Sequence, residues 1–420
     1  MHRFLAFLFV VLLSFPFRIK YQLSIFNSVS IFDVALLGFG MLLLLFVIQR
    51  RGRLNVGNKT VFFLLAVPLG TGLLSMAWSE DLTKTVYYLV VLIECVVAYL
   101  VVVNLFHSLE GAAIMRYMAV MVFLTLGISV LSFYRVPGVG PFIAPPQDTI
   151  IASYYTRLSS PFLGLSDNLA TVLAFFLLVF AAWAAVYNKW RYFLLAVITL
   201  AGIVLTASVG VLVAIALTAP IFVFWRIIKI KHLVLCILIV GALSAVGFIA
   251  AYHFSEHFQA NYTYTLSMER VFSHGEQRLD RFAIAAERIY MSPLLGHGLG
   301  VTFPTESTTK FPIHCSYLEQ MVWFGIPFGV ANILALVALP VAFIRHGKKR
   351  GAVYKISLGV ALALICQLLL FWVEASFEGT FLKVLFYVSV GFGVVLVNAL
   401  AMNQQQLMGA NHDPFFKTKP

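Results

Sequence analysis

Arginines and a histidine are the residues of this chain whose types and spacing could do chemistry. Arg278, Arg281 and Arg288 recur within the segment GEQRLDRFAIAAERIYMSP. At about 100° per residue they fall within an arc of about 80° on one side of a helix. Guanidinium forks grip phosphate oxygens bidentately and stay charged, so such an edge suits a phosphate or diphosphate. The plainer alternative is a solvated edge that meets lipid headgroups or pairs with Asp280 and Glu287. His314 stands just before an apolar run, where an imidazole can act as a general base near neutral pH or be an ordinary interfacial residue. Arg157 lies in a polar stretch ahead of SDNLA, where Asn168 is placed to cap a helix. His253, His257, His274 and His297 share one segment without zinc-like spacing, so no metal site is expected.

The elements that must position these groups follow from local pattern. The spacing predicts a helix from about Glu276 to Met291, opened by Gly275 and closed by Ser292-Pro293. Leu279, Phe282, Ala283, Ala286, Ile289 and Tyr290 fill one arc, and Glu276, Asp280 and Glu287 a second. This amphipathic helix can lie on a membrane or on a bundle. PLLGHGLG, from Pro293 to Gly300, reads as a tight turn whose glycines permit positive φ. It is no dinucleotide fingerprint, because no strand precedes it.

Composition sets the frame. Of 420 residues, 61% are hydrophobic and 11% charged, and mean hydropathy is +0.95. A soluble domain carries about 45–50% apolar and about 25% charged residues, so a soluble enzyme and a disordered protein are both excluded. Apolar runs fall at about 4–17, 31–48, 60–77, 85–103, 117–134, 168–187, 192–207, 209–225, 233–252, 316–344, 354–373 and 381–402. The expected fold is all-α: a polytopic membrane protein of about 12 transmembrane helices, with a long helical loop between spans 9 and 10. Residues 1–252 hold spans 1–9 with a loop at 135–167, residues 253–315 form the second long loop, residues 316–402 hold spans 10–12, and residues 403–420 are a tail. A tight turn near Thr206 to Ser208 separates spans 7 and 8. Asp33 and Glu94 sit inside apolar runs, where ionisable groups are costly.

The net charge of +12 would raise nucleic-acid binding in a soluble protein; here it bears on orientation. With the N-terminus in the cytoplasm, QRRGR, KWR, RIIKIK and RHGKKR all fall on the cytoplasmic side. Both termini are then cytoplasmic, and both long loops are extracytoplasmic. Met1 to Phe17 has the outline of a signal peptide without a cleavage site, and reads as a retained first span. The four cysteines carry no disulfide or metal spacing.

These residues together resemble the O-antigen ligase and O-antigen polymerase family of bacterial envelope proteins. The resemblance rests on Arg278 with Phe282 four positions later, then PLLG from Pro293 with Gly298 and Gly300, then His314 with Tyr317 and Leu318, then Gly325-Ile326. Arg157 with SDNLA adds to it. Cys315 stands where many relatives have Asn, Trp323 where many have Glu, and Ser208-Val209 where a Ser-Arg pair is common.

The resemblance implies metal-independent glycosyl transfer on the periplasmic face of the bacterial inner membrane, with no cofactor. The partners implied are an undecaprenyl diphosphate-linked glycan as donor, lipid A–core as acceptor, and the lipid bilayer, with no nucleic acid. His314 would be the base, and Arg278 and Arg157 would stabilise the diphosphate. Arg281, Arg288 and Tyr317 would bind substrate. Ligase is preferred over polymerase, because no Arg of the long loops is followed by Gly at the spacing many polymerases show. A transporter of lipid-linked sugar and a structural scaffold are the readings from other classes.

Overall fold

A computed structural model describes residues 2–14, 18–19, 29–49, 54–133, 166–206, 208–224, 249, 268–301, 315–347, 351–373 and 380–410. Among them are twelve helices: α1 (His2–Ser14), α2 (Ile31–Gln49), α3 (Lys59–Ser75), α4 (Leu82–Phe106), α5 (Gly111–Phe133), α6 (Ser166–Tyr187), α7 (Trp190–Leu205), α8 (Val209–Phe224), α9 (Met268–Met291), α10 (Ser316–His346), α11 (Ala352–Val373) and α12 (Thr380–Ala410). The pair β1 (Arg18–Ile19) and β2 (Val29–Ser30) is antiparallel.

Six helices, α4, α5, α6, α10, α11 and α12, are long and apolar enough to cross a membrane, and α1, α2, α3, α7 and α8 are shorter apolar helices. The chain is a helical, multi-pass membrane protein. In hydrocarbon the backbone must satisfy its own hydrogen bonds, which a helix does within one segment. Helices stand at eleven of the twelve predicted runs; the run at 233–252 lies, except for residue 249, outside the described residues.

The core lies where α6, α11 and α12 meet. Phe175, Phe176, Phe180, Leu362, Phe392 and Tyr387 are fully or almost fully buried there. α6 packs on α7 and α11, α12 packs on α4, and α10 packs on α3 and α11. At Gly359 of α11, an added Cβ would sit 2.4 Å from Ala182 Cβ of α6, a small-residue contact that lets two helices approach closely. The rim is apolar too: Val34, Leu37, Met41 and Leu44 of α2 and Phe63 and Leu73 of α3 are exposed, as surfaces that face lipid must be. One buried polar chain links two helices of this interior. Thr71 Oγ1 donates to Asn332 Oδ1 at 3.0 Å, and Asn332 Nδ2 donates to Gln320 Oε1 at 3.0 Å, joining α3 to α10.

Local signals set several ends. Asn58 accepts from the N–H groups of Thr60 and Val61 to start α3, and Asp81 accepts from Lys84 N–H to start α4. The turn between α7 and α8 falls at the predicted place, closed by Thr206 Oγ1 donating to Ile203 O. Two expectations need correction. α9 begins at Met268, not near Glu276, so Gly275 lies inside the helix; one interior glycine costs about 1 kcal/mol, which a 24-residue helix absorbs. α6 begins at Ser166, so Asn168 stands in its first turn rather than capping it, and Asp167 supplies the acidic charge that favours a helix start.

Candidate site at the broken helix

α10 is broken at Gly325, which takes φ 71° and ψ 174°. In an unbroken helix the Val322 carbonyl would accept from Ile326 N–H, and the Trp323 carbonyl would face residue 327. Residue 327 is Pro and has no N–H. Ile326 N–H instead donates to the Pro293 carbonyl at 2.7 Å. His297 N–H then donates to Val322 O at 3.0 Å, and Gly298 N–H to Trp323 O at 2.9 Å. The loop from Pro293 to Val301 thus repairs the break with its own backbone.

The contact is backbone on backbone. Gly296, Gly298 and Gly300 take φ of 69°, 103° and 76°, the region their type permits. A Cβ at Gly296 would sit 2.4 Å from Gly325 N, and one at Gly325 would sit 2.4 Å from the Leu294 carbonyl. No side chain fits between these two strands of chain.

His297 fastens the loop to two further elements. Its Nδ1 lies 2.5 Å from Glu80 Oε1, and its Nε2 lies 2.9 Å from the Arg288 carbonyl. A carbonyl only accepts, so Nε2 donates to Arg288 O, while Nδ1 faces the Glu80 carboxyl. Glu80 N–H also donates to His297 O at 3.0 Å. Thr85 Oγ1 donates to Leu299 O at 3.0 Å, and Trp323 Nε1 to Val301 O at 3.2 Å. Beside this joint, the buried Lys383 Nζ lies 4.4 Å from the centre of the Tyr88 ring and 5.5 Å from that of Trp323.

α9 packs against α10, and its exposure splits cleanly around the axis. Ile284, Arg288, Arg281, Ile289 and Phe282 are half-buried and Ala285 is fully buried. Leu279, Asp280, Ala283, Ala286, Glu287, Tyr290 and Met291 are exposed. The edge with Arg281 and Arg288 therefore faces the bundle, and Arg278 falls within the same arc by helical register. Four of the six residues of the predicted apolar arc, Leu279, Ala283, Ala286 and Tyr290, face outward instead.

The structure treats the predicted site residues differently. Arg281 and Arg288 are brought to the inner side of α9, with Arg288 Nη1 placed 3.7 Å from Met291 Sδ. Arg278 is placed on α9 by its backbone alone. Tyr317 is half-buried and donates its hydroxyl to Leu368 O at 2.6 Å, tying α10 to α11. Arg157 and His314 lie outside the described residues. Among the described residues, no three side chains of His, Cys, Asp or Glu cluster as metal ligands.

Sequence reasoning missed two groups. Lys383 lies two residues inside an apolar run, and the rule applied to Asp33 and Glu94 would have found it. The His297–Glu80 pair spans 217 positions and leaves no local signal. In comparison with known proteins, the chain matches no family model and no characterised sequence.

Proposed function

We propose that the chain transfers a glycan from undecaprenyl diphosphate to a sugar hydroxyl of lipid A–core, on the periplasmic face of the bacterial inner membrane. The reading takes about twelve spans, with the stretch at 233–252 as the ninth and both termini cytoplasmic. It rests first on the resemblance carried by Arg157, Arg278, PLLGHGLG and His314. The structural observation that supports it is the cationic edge of α9, turned toward the bundle where the Pro293–Val301 loop closes on broken α10.

The chemistry needs that kind of edge. The anomeric C–O bond breaks, and its electron pair leaves on a diphosphate whose negative charge grows. Guanidinium groups of Arg278 and Arg157, with Arg281 and Arg288 beside them, offset that charge without a metal. The acceptor hydroxyl attacks the anomeric carbon and gives its proton to His314. Attack opposite the leaving group inverts the anomeric centre. The lipid-exposed rim of the bundle accommodates the polyprenyl tail.

The test is a reaction of purified protein with labelled lipid-linked glycan and lipid A–core, without ATP or added metal. The expected product is the glycan joined to lipid A–core. Arg278→Ala and His314→Ala are expected to abolish it while the protein still inserts, and Arg281→Ala to be milder. EDTA is expected to leave the rate unchanged; activity lost to EDTA and restored by a divalent cation would overturn the metal-independent step. Joining of one lipid-linked glycan to another would mark a polymerase, and movement across the bilayer with no new bond would mark a transporter.

A further inference from the structure

α10 is longer than a bilayer is thick. As one straight helix its 31 residues would span about 46 Å, against a hydrocarbon core of about 30 Å. The apolar part is the second segment: from Ile326 to Ile344 its one side chain with an amide is Asn332, and Arg345 and His346 end it. Twenty residues above Arg345 lies Gly325, about 30 Å up the helix. The first segment instead carries Glu319 and Gln320. The break at Gly325 therefore falls at the membrane boundary, and the Pro293–Leu295 backbone bonded to it lies at the same depth.

At that depth the chain shows apolar side chains to the outside. Leu279 is 67% exposed, Tyr290 85% and Leu294 68%, with Met291 and Leu295 also exposed. Ile326, exposed on α10, is on the residue that bonds to Pro293 and continues this patch onto the surface of a candidate span. On the outer side of α9, the exposed acids Asp280 and Glu287 flank the apolar row.

We propose that this patch is embedded in the lipid bilayer: the outward face of α9 and the Leu294–Leu295 tip lie in the boundary between headgroups and acyl chains. The occupant is lipid, because the patch runs into the exposed surface of α10 at Ile326, about 30 Å along the helix from Arg345. Helices of this kind bury their apolar face about 5–10 Å into that boundary. Tyr290 is suited to such a place, with an apolar ring and a polar tip. The inference holds for either orientation of the chain and does not depend on the proposed reaction.

The test uses the full chain in phosphatidylethanolamine–phosphatidylglycerol vesicles, with Cys236 replaced by Ser and one nitroxide-labelled cysteine introduced at a time. Cys95, Cys315 and Cys366 are buried, and the protein without an added cysteine gives the background. Labels replacing Leu279, Tyr290 and Leu294 are expected to collide several-fold more with oxygen than with a water-soluble nickel chelate. A label replacing Glu287 is expected to show the reverse. Preference for the nickel chelate at all three apolar positions would overturn the proposal. So would protection from both relaxants with dipolar broadening, which would assign the patch to a second copy of the chain. Loss of glycan transfer in any labelled protein bears on the reaction alone, because collision rates report depth without activity.

Discussion

At the scale of single residues, His297 holds more of this site than any other described side chain. Both ring nitrogens and both backbone polar groups are engaged, with Glu80, Arg288, Val322 and again Glu80. His297→Ala keeps the backbone bonds and removes the two side-chain ones. It leaves the Arg288 carbonyl and the Glu80 carboxyl without their imidazole, and is expected to cost about 1–3 kcal/mol, read as a lowered Tm in detergent. An unchanged Tm would show that the pair is only incidental to the loop. Cys315 presents the opposite case. It is buried ahead of α10, and burial pushes its thiol above the usual range. The thiolate is the reactive form, so Cys315 is expected to resist maleimide at pH 7 until the protein is denatured. Rapid labelling of Cys315 in the folded chain would contradict that burial.

At the scale of elements, the break in α10 and the loop that fills it are one device. Gly325→Ala places a side chain at φ 71° and against the Leu294 carbonyl. It is expected to cost more than about 2 kcal/mol, seen as a lower Tm or loss of folded yield. Pro327→Ala restores an N–H at that position, but the Trp323 carbonyl already accepts from Gly298, so a change within about 1 kcal/mol is expected. Equal effects from the two substitutions would mean that proline, not the glycine contact, sets the bend. Here the sequence was legible in part. Long apolar runs announce helices because each closes its hydrogen bonds locally, and the turn at Thr206 to Ser208 was readable from length alone. The glycines of PLLGHGLG permit positive φ, and all three take it. That their partner is the Gly-Ile-Pro of another helix was not readable, because the bonds join segments about thirty residues apart that meet only in the fold. The outward turn of Leu279 and Tyr290 was hidden for a related reason: helical periodicity divides faces, and what packs on each face is decided by α10. Arg157 and His314, which carry much of the proposed chemistry, gain no placement from the described residues, so their roles still rest on sequence.

At the scale of the whole molecule, every argument about the site depends on which side of the membrane holds α9. The charges speak to it. Arg345 lies in the last turn of α10, and Lys348, Lys349 and Arg350 crowd the short connection to α11; short connections rich in Lys and Arg stay cytoplasmic. In the proposed orientation that connection is cytoplasmic, α10 runs outward from Arg345 to Gly325, and the break, the Pro293–Val301 loop and the arginine edge of α9 lie on the far side. The acidic charge agrees: Glu80 and Asp81 lie on the same end of the bundle as His297. Alkaline phosphatase, which folds only outside the cytoplasm, is expected to be active when inserted after Ser307 and inactive when inserted after Lys348. The reverse pattern would place the cationic edge in the cytosol, where a periplasmic glycan could not reach it. It would end the proposed transfer while leaving the lipid-embedded face of α9 intact, since depth along α10 is independent of which end is inside.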